Sequence, residues 1–142
     1  MELPGNGGVL GPSDSNHESE SCVVVRELLA RVGDKWSVLV ISLLGGRGYR
    51  FSELRRAIEG ISQRMLTLTL RQLERDGLVS RTVHATVPPR VDYALTPLGE
   101  SVLGPLAELA GWAQEHGTDV ATARRIYDER VAREAALDGA AG

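Results

Sequence analysis

A chain of 142 residues is long enough for one hydrophobic core and too short for two ordinary domains. Although 42% of it is apolar, no run approaches the ~20 consecutive apolar residues of a membrane helix. Its single cysteine, Cys22, excludes an internal disulfide framework and any multi-cysteine zinc site. The net charge of −3 argues against a nucleic-acid partner only until its distribution is read: residues 47–92 hold nine arginines against five acids, and the acidic excess lies in residues 1–21 and 93–142.

Residues 1–20 are rich in Gly, Ser, Pro and Asn and poor in apolar side chains, which predicts a disordered tail. They lack the basic start and apolar run of a secretory leader, which predicts a cytoplasmic protein. From Cys22 the pattern turns helical, with Val25, Leu28, Leu29 and Val32 on one face and Gly33 as the stop. Asp34 is placed to cap a second helix, with Trp36, Leu39, Val40, Leu43 and Leu44 inward and Gly45-Gly46 at its end.

Ser52 is the next candidate cap, opening a short helix with Leu54 and Ile58 inward. After Glu59-Gly60-Ile61, Ser62 caps a helix from Gln63 to about Asp76, with Leu66, Leu70 and Leu73 on one face before Gly77. This pair has the form of a helix-turn-helix. Leu78 to Ala85 and Val91 to Leu95 read as two strands of a hairpin whose tip, near Thr86 to Arg90, contains Pro88-Pro89. Thr96 and Pro97 then start a helix through Leu98, Val102, Leu106, Leu109 and Trp112 towards Gly117, and residues 118–137 read as a last helix striped with Val120, Ala123, Tyr127 and Val131. The organisation predicted is a tail over 1–20, a DNA-binding domain over 21–117 and a dimerisation helix with a short disordered end over 118–142.

The fold class that follows is mainly α with a small β-hairpin, a winged helix-turn-helix dimerised through its N- and C-terminal helices. Strings in order sharpen it: Gly33-Asp34-Lys35-Trp36, Arg50-Phe51-Ser52-Glu53-Leu54, Gly60-Ile61-Ser62, Leu70-Arg71, Asp76-Gly77-Leu78-Val79, Val87-Pro88-Pro89-Arg90-Val91 and Leu95-Thr96. From Cys22 to about Trp112 the chain resembles the HxlR-type branch of the MarR-like winged-helix regulators. It departs from them at Val23, where the family usually has proline after the cysteine, and both ends lie outside the match. The resemblance implies a homodimer on a roughly palindromic operator in double-stranded DNA, without a cofactor. It also implies that some members sense electrophiles or oxidants through the N-terminal cysteine, so a small-molecule or oxidant inducer stays open.

With Leu66, Leu70 and Leu73 buried, a rotation of 100° per residue puts Arg64, Thr67, Leu68 and Arg71 on the opposite face. Gln63 and Arg64 fall in the first turn, where Gln suits adenine and Arg suits guanine, and Thr67 suits a thymine methyl. Ser62 and the free amides at that helix start suit a phosphate. Arg81 and Arg90 suit a wing along phosphates or in the minor groove, and Arg50, Arg55, Arg56 and Arg75 are phosphate candidates unless Glu53, Glu59, Glu74 or Asp76 pair with them. Cys22, taken to stand at a helix start beside Arg26, is either a reactive sensor or a small packed residue. His17, His84 and His116 show no metal-ligand spacing and read as structural or solvated; Trp36, Phe51, Tyr93 and Trp112 read as core. No catalytic constellation or metal set is present in the sequence, which leaves one rival to DNA binding, a winged helix used only for protein contacts.

Overall fold

The computed structural model describes residues 15–141, with side chains from residue 20 onward. In chain order the described elements are α1 (Ser15–Gly33), α2 (Lys35–Leu44), β1 (Tyr49–Arg50), α3 (Phe51–Ala57), α4 (Gln63–Arg75), β2 (Val79–His84), β3 (Arg90–Leu95) and α5 (Pro97–Ala141). Most of the expected N-terminal tail, residues 1–14, lies outside the described residues. Residues 15–20 are helical, so α1 begins seven positions before Cys22. Those residues include neither Gly nor Pro, and extending a helix already nucleated by the apolar turns after Cys22 costs little.

Asp34 caps α2 as expected: one carboxylate oxygen accepts from the backbone N–H and the hydroxyl of Ser37, both at 3.0 Å. That bond also lets Ser37 be buried. The inward stripe of α2 is therefore Ser37, Val40, Ile41 and Leu44, at i, i+3, i+4 and i+7, and the expected inward residue Leu39 is exposed. Arg50, and not Ser52, occupies the N-cap of α3, where its backbone N–H donates to the Glu53 carboxylate at 2.9 Å. Gly60 then turns the chain with φ +86°, a conformation that only glycine adopts freely.

In α4 the buried set is Leu66, Thr69, Leu70 and Leu73. Burial of each of the three leucines contributes about 1.5–3 kcal/mol. Gly77, at φ +77°, ends the helix, and the Leu78 N–H donates back to the Leu73 carbonyl at 3.0 Å. The sheet is antiparallel with order β1-β3-β2, pairing Arg50 with Asp92 and His84 with Arg90. β1 was not expected, because two residues are too few to display a period. Only the Val79 end of β2 is buried; beyond it the hairpin projects and Val83 is exposed.

Two compact units make up the chain, the first ending at Ser101 and the second beginning at Val102. The core of the first joins Val40 and Ile41 of α2, Leu54 of α3, the α4 leucines, Leu78, Val79 and Tyr93. Thr96 closes it: its hydroxyl donates to the Gly77 carbonyl and accepts from the Gly99 N–H at 3.0 Å, capping α5 behind Pro97. In the second unit the break expected at Gly117 is absent, since one glycine costs a helix interior only about 1 kcal/mol. Trp112, expected in the core, is 55% exposed with its ring stacked on His116, because a single helix has no second layer in which to bury it.

Candidate nucleic-acid interface

The turn at Gly60 and the cap at Ser62 set how α4 leaves α3. Ser62 Oγ accepts from the Met65 N–H at 3.0 Å, so the hydroxyl proposed for phosphate also holds the helix start. With Leu66, Leu70 and Leu73 turned into the core, Gln63, Arg64, Leu68 and Arg71 are exposed and Thr67 is half-buried between them. The Thr67 hydroxyl donates to the Gln63 carbonyl at 2.8 Å, which leaves its methyl group and lone pairs for a partner. Gln63 is held from outside α4, its side-chain oxygen accepting from Arg55 Nη1 at 3.4 Å. Sequence reasoning placed Arg55 on a phosphate and missed this contact.

Three adjoining clefts carry the basic surface from α4 to the wing. One, of about 560 Å³, has Gln63, Thr67, Arg71 and Glu74 on the α4 side and Arg81 and Tyr93 on the sheet side. The next lies between Arg55, Arg56 and Gln63, and the third brings Arg50 and Ser52 beside Arg90 at the hairpin tip. Arg50, Arg55, Arg56, Arg71, Arg81 and Arg90 border these three clefts, Arg64 lines a further one beside Gln63, Thr67 and Arg71, and Arg75 lines none of them. Among the described residues Arg50, Arg55, Arg56, Arg64, Arg71, Arg75 and Arg81 make no ion pair; of the four expected acids, Glu53 is taken by Arg47 at 3.3 Å and Asp76 by Arg31 at 2.8 Å, and Glu59 and Glu74 pair with none of the described residues. Arg47, which the sequence did not single out, also lies 3.8 Å over the Tyr49 ring. The backbone N–H of Arg50 holds the Glu53 carboxyl below the usual range, outweighing the opposing effect of burial, and Arg47 adds to it.

Arg90 is not free. Its guanidinium donates to Asp92 at 3.1 Å, and the same carboxylate oxygen is 2.9 Å from His84 Nε2. Burial pushes the Asp92 carboxyl up, but these two partners outweigh it and leave it below the usual range. His84, read from the sequence as structural or solvated, thus belongs to the wing's charge cluster.

Cys22 is exposed. Because α1 starts at Ser15, the thiol stands two turns inside the helix and not at its N-terminus, and the field of a helix end fades within one turn. The nearby Arg26 donates to the Cys22 backbone carbonyl at 3.4 Å. No trio of metal-ligating side chains occurs among the described residues, and none of their helices is long and apolar enough to cross a membrane.

The sequence pattern of the family described as HxlR-like helix-turn-helix matches residues 31–121, from the end of α1 into α5. The chain belongs to that family. As an HxlR-like helix-turn-helix protein it is a transcriptional regulator and not an enzyme, and its fold is the winged helix of MarR-like regulators. It is 42% identical over 119 residues to the uncharacterized HTH-type transcriptional regulator YtfH of Escherichia coli (strain K12), covering 84% of this chain and 91% of that one. Among solved structures it is similar to ytfH from Salmonella typhimurium, with a TM-score of 0.64 and 42% identity over 71% of this chain and 90% of that one. It is also similar to the redox regulator HypR in its oxidized form, with a TM-score of 0.59 and 38% identity over 64% of this chain and 94% of that one. The HxlR-like match thus spans the whole helix-turn-helix and wing, where the basic face lies.

Proposed function

We propose that this regulator binds double-stranded DNA sequence-specifically as a cytoplasmic homodimer on an inverted repeat and represses transcription there. The observation that carries the reading is the outward face of α4: Gln63, Arg64, Thr67 and Arg71 project from a helix whose other face is anchored in the core, continuous with Arg81 across the first cleft. A helix so presented enters a major groove with its first turn on base edges, while the wing and Arg50 follow phosphates. Residues 21–117 act as the DNA-binding domain and the helix beyond as a dimerisation element. Support for a dimer comes from apolar faces left uncovered on both terminal helices, with Leu29 at 63% exposure and Tyr127 at 56%.

Within this reading Cys22 is the site at which an oxidant or electrophile reaches the protein. The support is an exposed lone thiol on a helix whose apolar face is left uncovered, together with the likeness to a redox regulator. Selection of genomic fragments by the purified protein, followed by footprinting, tests the whole reading. A protected inverted repeat whose affinity falls steeply with salt is the expected result, and selection of no fragment defeats it in favour of a protein-contact module. Release of that operator by diamide in wild type but not in Cys22→Ser tests the sensor.

A further inference from the structure

We infer that Asp92 and His84 position the wing's Arg90, and that protonation of His84 turns the cluster of these three side chains from neutral to cationic and so strengthens DNA binding. The inference rests on the DNA-binding reading above and adds a proton to it.

Its geometry is a shared acceptor. His84 and Arg90 face each other across the hairpin, and both reach the same oxygen of Asp92, at 2.9 and 3.1 Å. Side chains alternate along a strand, so His84, Arg90 and Asp92 share one face of the ribbon, and Arg50 of β1, the register partner of Asp92, belongs to it too. Arg81 lies on the other face, across the cleft from Gln63, Arg71 and Glu74 of α4. Asp92 is the only acid on the His84 face of the hairpin, so its charge is set against two arginines and an imidazole.

The charge count then decides the outcome. With His84 neutral, the Asp92 carboxylate is matched by Arg90, and the trio of His84, Asp92 and Arg90 adds no net charge to that of Arg50 beside it. A proton taken from solvent by the imidazole leaves the three groups at +1. Asp92 can then be neutralised by His84 alone, and Arg90 is released to turn towards a phosphate. Imidazole is the side chain whose charge ordinarily changes between pH 5 and 8, and an extra neutralised phosphate steepens the salt dependence of binding by about 0.9 in log–log slope.

The test is operator affinity of the full-length protein at pH 8 and pH 6, each across a salt series. Wild type should bind roughly three- to tenfold more tightly at pH 6, with the steeper slope there. His84→Gln should abolish the rise, His84→Lys should hold low-pH affinity at both values, and Asp92→Asn should tighten binding at pH 8. Both substituted positions are half-exposed on the ribbon, and circular dichroism verifies that each variant is folded. Wild-type affinity and slope that do not change with pH, or a rise that survives in His84→Gln, overturn the inference while leaving DNA binding intact. Absence of any selected sequence at either pH defeats the DNA reading itself.

Discussion

Arg31 of α1 and Asp76 at the C-cap of α4 are joined by a bond of 2.8 Å from Nε to the carboxylate, with side chains only 16% and 14% exposed. It ties the helix that carries Cys22 to the far end of the helix that carries the proposed DNA-reading face. Unlike a surface pair, it is shielded enough from water that removing one partner strands the other charge. Arg31→Ala and Asp76→Ala should each lower unfolding free energy by about 1–3 kcal/mol, and the double variant by much less than the sum. Urea denaturation of the four proteins in the cycle measures this; additive losses would show that the two charges act independently.

Gly99 allows α5 to start against the turn that leads from α4 into β2. A Cβ there would overlap the Leu78 carbonyl oxygen, a backbone atom that cannot rotate away. Gly99→Ala should therefore destabilise the fold by about 2–4 kcal/mol, whereas Gly104→Ala, where nothing lies within 4 Å, should leave it unchanged or slightly stabilised. Thermal melts of the two variants separate a steric role from a general intolerance of substitution in α5.

The base-reading surface proposed above is the first turn of α4. Arg64→Ala should cost about 1–3 kcal/mol on the preferred operator and relax preference at one base pair, while Arg81→Ala should weaken all sequences alike. Arg55→Ala should act differently from both. By freeing the Gln63 side-chain oxygen it should alter which base is preferred at the position Gln63 reads, since that oxygen is the acceptor adenine needs. Binding to a set of single-base operator variants checks all three, and identical profiles for wild type and Arg55→Ala would show that the Arg55 contact plays no part in specificity.

Acid should weaken the fold through Glu53 and Asp92. Both carboxyls are held below their usual range, chiefly by the Arg50 backbone N–H for Glu53 and, against burial, by His84 and Arg90 for Asp92. A depressed carboxyl contributes stability that is complete above its unfolded value, near ~4, and is lost as pH falls through its lower folded value. Melting temperature should accordingly drop below about pH 4, and Glu53→Gln and Asp92→Asn should each flatten that drop. If neither variant changes the acid limb, other carboxylates dominate it.

What the sequence determined by itself was most of what neighbours a turn apart govern, the α3 cap and the side of α2 that Leu39 takes excepted. Asp34, Ser62 and Thr96-Pro97 announce helix starts because a cap bonds to an amide two or three residues on, and Leu66, Leu70 and Leu73 announce the buried face of α4, hence its outward one, because a helix repeats every 3.6 residues. The ordered strings identified the family for the same reason, each being a local requirement of a turn, cap or strand. Tertiary structure alone decided which charges meet. Asp76 pairs with Arg31 45 residues away, and Arg90, which reads as a free wing arginine, is held by Asp92 with His84 brought in by strand register. It also decided that Cys22 stands inside a helix and that Trp112 stays exposed, because where a helix starts and what covers its apolar face depend on chain beyond the local window. A periodic pattern states which side of a helix is apolar, but a salt bridge or a buried ring needs a partner, and the partner's distance is set only when separate elements pack.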